Sequence, residues 1–218
     1  PHLSWVAPRL VAAVRPRSPR SPVAYNSNNN NNHHHHNNNN VHGTTAAPRP
    51  RKIKVGFMSK FFVINHAHGQ LLEGIATYLP RAHFEVYVLA IPNPSNTILP
   101  SMQLGAEASG GKVVSLSFNL VESRQQIAAL GLDVLVLGDM MSEPLTYFMG
   151  LGSRVAPVQC LFWGNPVTSG ATNIDYFISG EHMEPTEAEL LLGDDAGLAE
   201  EWGVQYSEQV VRLKGQGI

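Results

Sequence analysis

From residue 53 onward the chain alternates short, almost wholly apolar runs with stretches whose apolar residues recur at helical spacing. IKVGFM (53–58), FEVYVLAI (84–91), KVVSLS (112–117), DVLVLG (133–138), PVQCLFW (157–163) and DYFISG (175–180) read as strands. Pro92, Asn93 and Pro94 end the second of them. A run as uniformly apolar as 133–138 predicts a strand covered on both faces. In HGQLLEGIATYL (68–79), Leu71, Leu72, Ile75, Tyr78 and Leu79 fall on one helical face. NLVESRQQIAAL (119–130) predicts a second helix, capped by Asn119 with Glu122 three residues on, and EPLTYFMG (143–150) a third. Strands alternating with helices in this way predict an α/β fold: a Rossmann-like parallel sheet with flanking helices.

The first 52 residues have a different character. RPRSPRSP (15–22) is rich in Pro and Arg, and 26–40 is an Asn tract interrupted by His33, His34, His35 and His36. Such segments lack the apolar side chains whose burial would offset the entropy of ordering, so 1–52 is expected to be a disordered leader. It carries seven basic residues and no acid, whereas 53–218 carries eight basic and all 17 acidic residues. The folded part therefore has no basic surplus with which to hold nucleic acid. One cysteine, Cys160, excludes an internal disulfide framework. No apolar run reaches the roughly 18 residues of a membrane span.

In parallel sheets ligands sit at the carboxyl ends of the strands. Three loops there carry unusual chemistry. The loop 59–70, SKFFVINHAHGQ, sets Asn65, His66 and His68 at the start of a helix, where an imidazole can act as acid or base or bond a phosphate or sugar hydroxyl. Asn65 can equally be the helix cap and the histidines ordinary loop polars. The loop 138–144, GDMMSEP, puts Asp139 just past a buried strand, where it can anchor a hydroxyl, orient a histidine or oppose a helix dipole. The loop 163–170, WGNPVTSG, combines Gly164, Pro166, Thr168, Ser169 and Gly170, which suit close backbone approach and hydroxyl contacts to an anionic or sugar ligand, or merely a tight turn. GAEASGGK (105–112) imitates a phosphate loop, but its spacing is a residue too long and Val113 stands where Ser or Thr should be. It reads as a turn.

In this order the segments IKVGFMSKFF…NHAHGQLLEGI (53–75), HFEVYVLAIP (83–92), GLDVLVLGDM (131–140), RVAPVQCLFWGNPVTSGATNIDYFISGEHMEP (154–185) and YSEQVVRL (206–213) resemble the catalytic region of protein O-GlcNAc transferases and their SPINDLY-type O-fucosyltransferase relatives. The resemblance implies the first half of a GT-B glycosyltransferase. It implies inverting transfer of GlcNAc from UDP-GlcNAc, or of fucose from GDP-fucose, to Ser or Thr hydroxyls of intracellular proteins, in the cytoplasm or nucleus. No metal or other cofactor is implied, and no nucleic-acid or membrane partner. By the same resemblance His66 and Asp139 are the candidate catalytic residues, and Gly164, Pro166, Thr168, Ser169 and Gly170 the donor-sugar turn. Leu130 stands where the family has an acidic residue, so no general base is named. The domains are then 1–52 leader, 53–189 Rossmann-like half, 190–205 insertion and 206–218 continuation. Most nucleotide contacts belong to a second half that these residues do not include, so this stretch alone is expected to be inactive. A non-catalytic Rossmann-like binding module is the alternative.

Overall fold

The computed structural model describes residues 51–64, 66–94, 97–152, 154–164, 168–184 and 206–214. Its strands are β1 (Ile53–Ser59), β2 (Phe84–Ala90), β3 (Lys112–Ser115), β4 (Val134–Leu137), β5 (Val158–Phe162), β6 (Tyr176–Gly180) and β7 (Gln209–Leu213). Its helices are α1 (Ala67–Tyr78), α2 (Pro100–Ser109), α3 (Leu120–Leu130) and α4 (Pro144–Leu151). The strands form one sheet in the order β3-β2-β1-β4-β5-β6-β7. Every adjacent pair is parallel. The Rossmann-like architecture read from the sequence is therefore the fold of the chain.

Period-two alternation divides the strand side chains between two cores. Val134 and Val136 join Val55, Phe57, Val86 and Val88 on one face, with Leu72, Ile75 and Met102 from α1 and α2. Leu135 and Leu137 join Met58, Leu89 and Leu161 on the other, with Ile127 and Met149 from α3 and α4. This is why β4 is wholly apolar: all four of its residues are buried.

The helices follow their sequence signals with three differences. In α1, Leu72, Ile75 and Ala76 are buried, but Tyr78, expected on the same face, is 68% exposed. In α3, Asn119 accepts hydrogen bonds from the backbone N–H of Val121 and Glu122. Glu122 does not reciprocate: its carboxylate accepts the Ser117 hydroxyl, and the Asn119 N–H donates to Ser117 Oγ. The third difference is α2, which occupies most of what the sequence presents as a turn. Its buried residues are Met102, Gly105, Ala106 and Ser109. They keep helical spacing but include a single large apolar side chain, so the periodic signal is faint. A Cβ on Gly105 would lie 2.9 Å from Thr77 Cα, so the missing side chain is what lets α2 approach α1. The turn itself is confined to Gly110, at φ 97°, and Gly111.

Both ends of the described lobe are tied in. Arg51 makes two 2.7 Å hydrogen bonds to the Asp133 carboxylate, and Lys52 Nζ donates to the Ser109 carbonyl at 2.7 Å. The described fold thus begins inside the stretch assigned to the leader. At the other end, β7 pairs with β6 from Gln209↔Tyr176 to Leu213↔Gly180, so the 206–213 stretch returns as a strand of the same sheet. The remainder of the leader and the 190–205 insertion lie outside the described residues. Among the described residues no helix is long and apolar enough to cross a membrane.

Candidate active site

Strand order reverses direction at β1, with β2 on one side and β4 on the other, which puts the fold's natural ligand crevice over the loops that follow β1 and β4. Asp139 sits there. It is fully buried. Its Oδ2 accepts the Ser59 hydroxyl at 3.1 Å and the Lys60 backbone N–H at 2.9 Å. Its Oδ1 is buried without a hydrogen-bond partner. Burial pushes the carboxyl up to about 6, against the opposing pull of Lys60, Thr146 and Ser59, and repulsion from Glu143 adds to the rise. The Thr146 hydroxyl makes no hydrogen bond of normal geometry. Glu143 caps α4 by accepting the Thr146 N–H at 2.9 Å, and Lys60 Nζ lies 3.8 Å from its Oε1. The acid that opposes the α4 dipole is therefore Glu143, not Asp139.

Asp139 makes no hydrogen bond to His68 or to His66 Nδ1. It holds Ser59, Ser59 Oγ accepts the Phe61 N–H at 2.9 Å, and the Phe61 ring stacks on His66 at 4.0 Å with 6° between planes. His66 is also the cap position of α1 and makes no side-chain cap bond. Asn65, the alternative cap, lies outside the described residues. The His68 ring follows at 5.3 Å from His66. Burial, then repulsion from His66, lowers the His68 pKa, and the α1 amino terminus also disfavours a cation there. Both His68 nitrogens and His66 Nδ1 are buried without a partner, as is Trp163 Nε1 at the end of β5.

Gly164 completes this corner. A Cβ on it would stand 2.5 Å from His68 Nε2 and 3.4 Å from the Gly138 carbonyl oxygen. The β1, β4 and β5 ends therefore meet at the His68 ring. The rest of the 163–170 turn goes elsewhere. Thr168 Oγ1 donates to Glu208 Oε2 at 2.7 Å, the Ser169 N–H donates to Oε1 at 2.8 Å, and the Ser169 hydroxyl donates to the same oxygen. Gly170 turns the chain at φ 64°. Burial pushes Glu208 up, but the hydrogen bonds from Ser169 and Thr168 outweigh it and hold the carboxyl below the usual range. Gln209 is level with Tyr176 and Tyr176 with Cys160, so Glu208 sits in register five strand positions, about 16 Å, behind Gly164. Pro166 lies outside the described residues.

The structure thus gathers His66, Asp139 and Gly164 at one edge, with the Thr168 and Ser169 hydroxyls engaged by Glu208. Ser59 and Phe61 stand in the candidate loop, yet the sequence does not single them out as working parts; His68 it names only beside His66. Ser59 has a signal, being the polar residue that ends an apolar strand. Glu208 has none, since its partners are 39 and 40 residues away. Among the described residues no three His, Cys, Asp or Glu side chains converge as a metal site.

Comparisons with known proteins bear on the fold and the family of the chain. No curated protein matches the chain. Among solved structures, a Thermobaculum terrenum O-GlcNAc transferase mutant, K341M, is 23% identical, with a TM-score of 0.54 over 75% of this chain. That likeness is one of fold, and the chain spans only 28% of that protein's length. The model of Glycosyl transferase family 41 matches residues 29–194, a range that takes in every strand from β1 to β6. A match over most of the chain settles membership: it belongs to glycosyl transferase family 41, the O-GlcNAc transferase and SPINDLY family.

Proposed function

We propose that the complete protein is an inverting glycosyltransferase that moves GlcNAc from UDP-GlcNAc to Ser or Thr hydroxyls of proteins. Residues 53–189 and 206–218 form its acceptor-side lobe, with 190–205 inserted between them. The observation that carries this reading is the gathering of buried polar atoms without partners: His66 Nδ1, both His68 nitrogens, Trp163 Nε1 and Asp139 Oδ1 all lie on residues at the carboxyl ends of β1, β4 and β5. Leaving such groups unpaired costs about 1–3 kcal/mol each, so a cluster of them marks a place built for a polar ligand.

In the proposed reaction the acceptor oxygen attacks the anomeric carbon, the bond to the diphosphate oxygen breaks, and the hydroxyl proton passes to the His66 imidazole. Asp139 acts at one remove, because its contacts run through Ser59 and Phe61. Such positioning of reactants supplies much of the barrier reduction in transfers of this kind. Gly164, at the His68 corner, borders the donor sugar. Thr168, Ser169 and Gly170, expected to join it there, close the far end of the same turn, where Glu208 holds both hydroxyls about 16 Å behind Gly164, and they support it by shape alone. The lobe alone does not turn over.

Mass spectrometry of a Thr-containing peptide incubated with the complete protein and each nucleotide sugar tests this. A GlcNAc mass added from UDP-GlcNAc supports the reading. A deoxyhexose added only from GDP-fucose assigns the SPINDLY-type activity instead. No addition from either donor overturns the proposal.

A further inference from the structure

The β1 loop also borders a hollow that His66 does not line. It is a cleft of about 280 Å³ at the carboxyl ends of β1, β2 and β3. Lys60, Phe62 and Val63 of the β1 loop form one wall, and Ile91, Pro92, Asn93 and Ile98 the other, with Ser115 at the end of β3. The walls are pinned together. Val63 and Ile98 form an antiparallel bridge, and the Leu99 N–H donates to the Phe62 carbonyl at 3.0 Å.

The cleft's polar groups are largely engaged already. The Ser59 hydroxyl donates to Asp139, the Asn93 amide donates to the Lys60 carbonyl at 3.0 Å, and the Lys60 ammonium faces Glu143. What the cleft still offers is apolar: Val63, Pro92 and Ile98 are partly exposed, above Phe62 and Ile91, which are already buried. The volume stands at the lower end of the roughly 300–1,000 Å³ of pockets that enclose small-molecule ligands, and its apolar lining with engaged polar groups suits a side chain better than a nucleotide sugar.

Position supplies the occupant. The cleft lies over the β1–β2 boundary, and the His68–Gly164 corner over the β4–β5 boundary. In the order β2-β1-β4-β5 these are two strand spacings apart, about 10 Å, which an extended peptide covers in about three residues; the His66 ring at the acceptor oxygen belongs to this corner, 5.3 Å from the His68 ring. We propose that this cleft is an acceptor subsite that takes an apolar side chain of the acceptor segment about three residues from the hydroxyl to be glycosylated. The inference rests on the glycosyltransferase reading and adds a source of acceptor selectivity to it.

The test is peptide binding to the 218-residue chain, followed by fluorescence anisotropy. The peptides carry a single Thr in a Gly/Asn background, with Val, Asp or Gly placed three residues to one side or the other. One of the two Val peptides should bind about tenfold more tightly than its Asp and Gly counterparts, the effect of burying one aliphatic side chain. Ser115 is exposed at the end of β3, and Ser115→Trp fills the cleft from its rim. It should erase the Val advantage and leave the Gly peptide unchanged, and Ser115→Ala should preserve the advantage. Ile98→Ala should move the preference from Val to Phe, which keeps the test decisive if the Trp variant folds poorly. Equal binding of the Val and Asp peptides on both sides, or a Val advantage that survives both Ser115→Trp and Ile98→Ala, overturns the subsite. Failure of the underlying reading looks different: the Val preference persists, yet the complete protein adds no sugar to any peptide. Sugar addition without a Val preference removes the subsite alone.

Discussion

The His68 ring occupies the space that any side chain at position 164 would need: a Cβ on Gly164 would lie 2.5 Å from His68 Nε2. A histidine in the first turn of α1 and a glycine just past β5, 96 positions apart in the numbering, are thus packed as one unit. This contact joins the β1 loop, which carries His66, to the turn that borders the proposed donor site.

Gly164→Ala should therefore displace His68. The expected cost is about 1–3 kcal/mol of folding stability, the range for forcing a methyl into a filled space. In a His68→Ala background the same substitution should cost little, so urea denaturation of the four variants should give a coupling of at least about 1 kcal/mol. Additive effects would mean that the two residues do not share this space.

Asp139 makes a pH-dependent prediction. Its carboxyl is raised to about 6 from its usual 3.8. Its share of stability is therefore fully present below about pH 4 and is lost as pH rises through about 6, a swing on the order of 3 kcal/mol. Asp133, Asp175 and Glu208 are depressed and act in the opposite sense, losing stability as pH falls, so the wild-type profile alone mixes the two. Subtracting the Asp139→Asn profile isolates the Asp139 contribution. Relative to the wild type, the variant should gain about 3 kcal/mol as pH rises from 4 to 8, being the less stable of the two below about pH 4 and closing or reversing that gap by pH 8. A gap that stays constant across this range would contradict the assignment.

Glu208 anchors the start of β7 to the 168–170 turn. Glu208→Ala leaves the Thr168 hydroxyl, the Ser169 hydroxyl and the Ser169 N–H without their acceptor and should cost about 2–4 kcal/mol. Glu208→Gln keeps one of the two acceptor oxygens and should cost about half as much. Hydrogen exchange at residues 209–213 should rise more than exchange in β1 and β4. Uniform loosening of the whole sheet would show that β7 is not a separable edge.

Much of this fold is legible in the sequence because parallel strands buried on both faces must be apolar throughout. VLVL at 134–137 could be little else, and Asn119 before Leu120 announces its helix. Helix α2 is hidden because its buried stripe of Met102, Gly105, Ala106 and Ser109 packs closely by being small, which removes the apolar contrast that betrays a helix. The candidate site divides in the same way. The ends of β1, β4 and β5 can be named once the strands are known, so His66, Asp139 and Gly164 are readable as a group. The Glu208 anchor depends on how β7 adds to the far side of the sheet, and no local pattern encodes it. Nor does the spacing of Asp139 and His66 disclose that Ser59 and Phe61 stand between them.

The central claim is that this crevice performs sugar transfer with His66 at the acceptor oxygen. The most direct measurement is the initial rate of GlcNAc transfer from UDP-GlcNAc to a Thr peptide by the complete protein and by its His66→Ala variant, with melting curves confirming that both are folded. The account predicts transfer by the wild type and a fall of about 10²–10⁴-fold in the variant, the usual share of a positioned acid or base. A folded wild type with no transfer, or a variant as fast as the wild type, would contradict it.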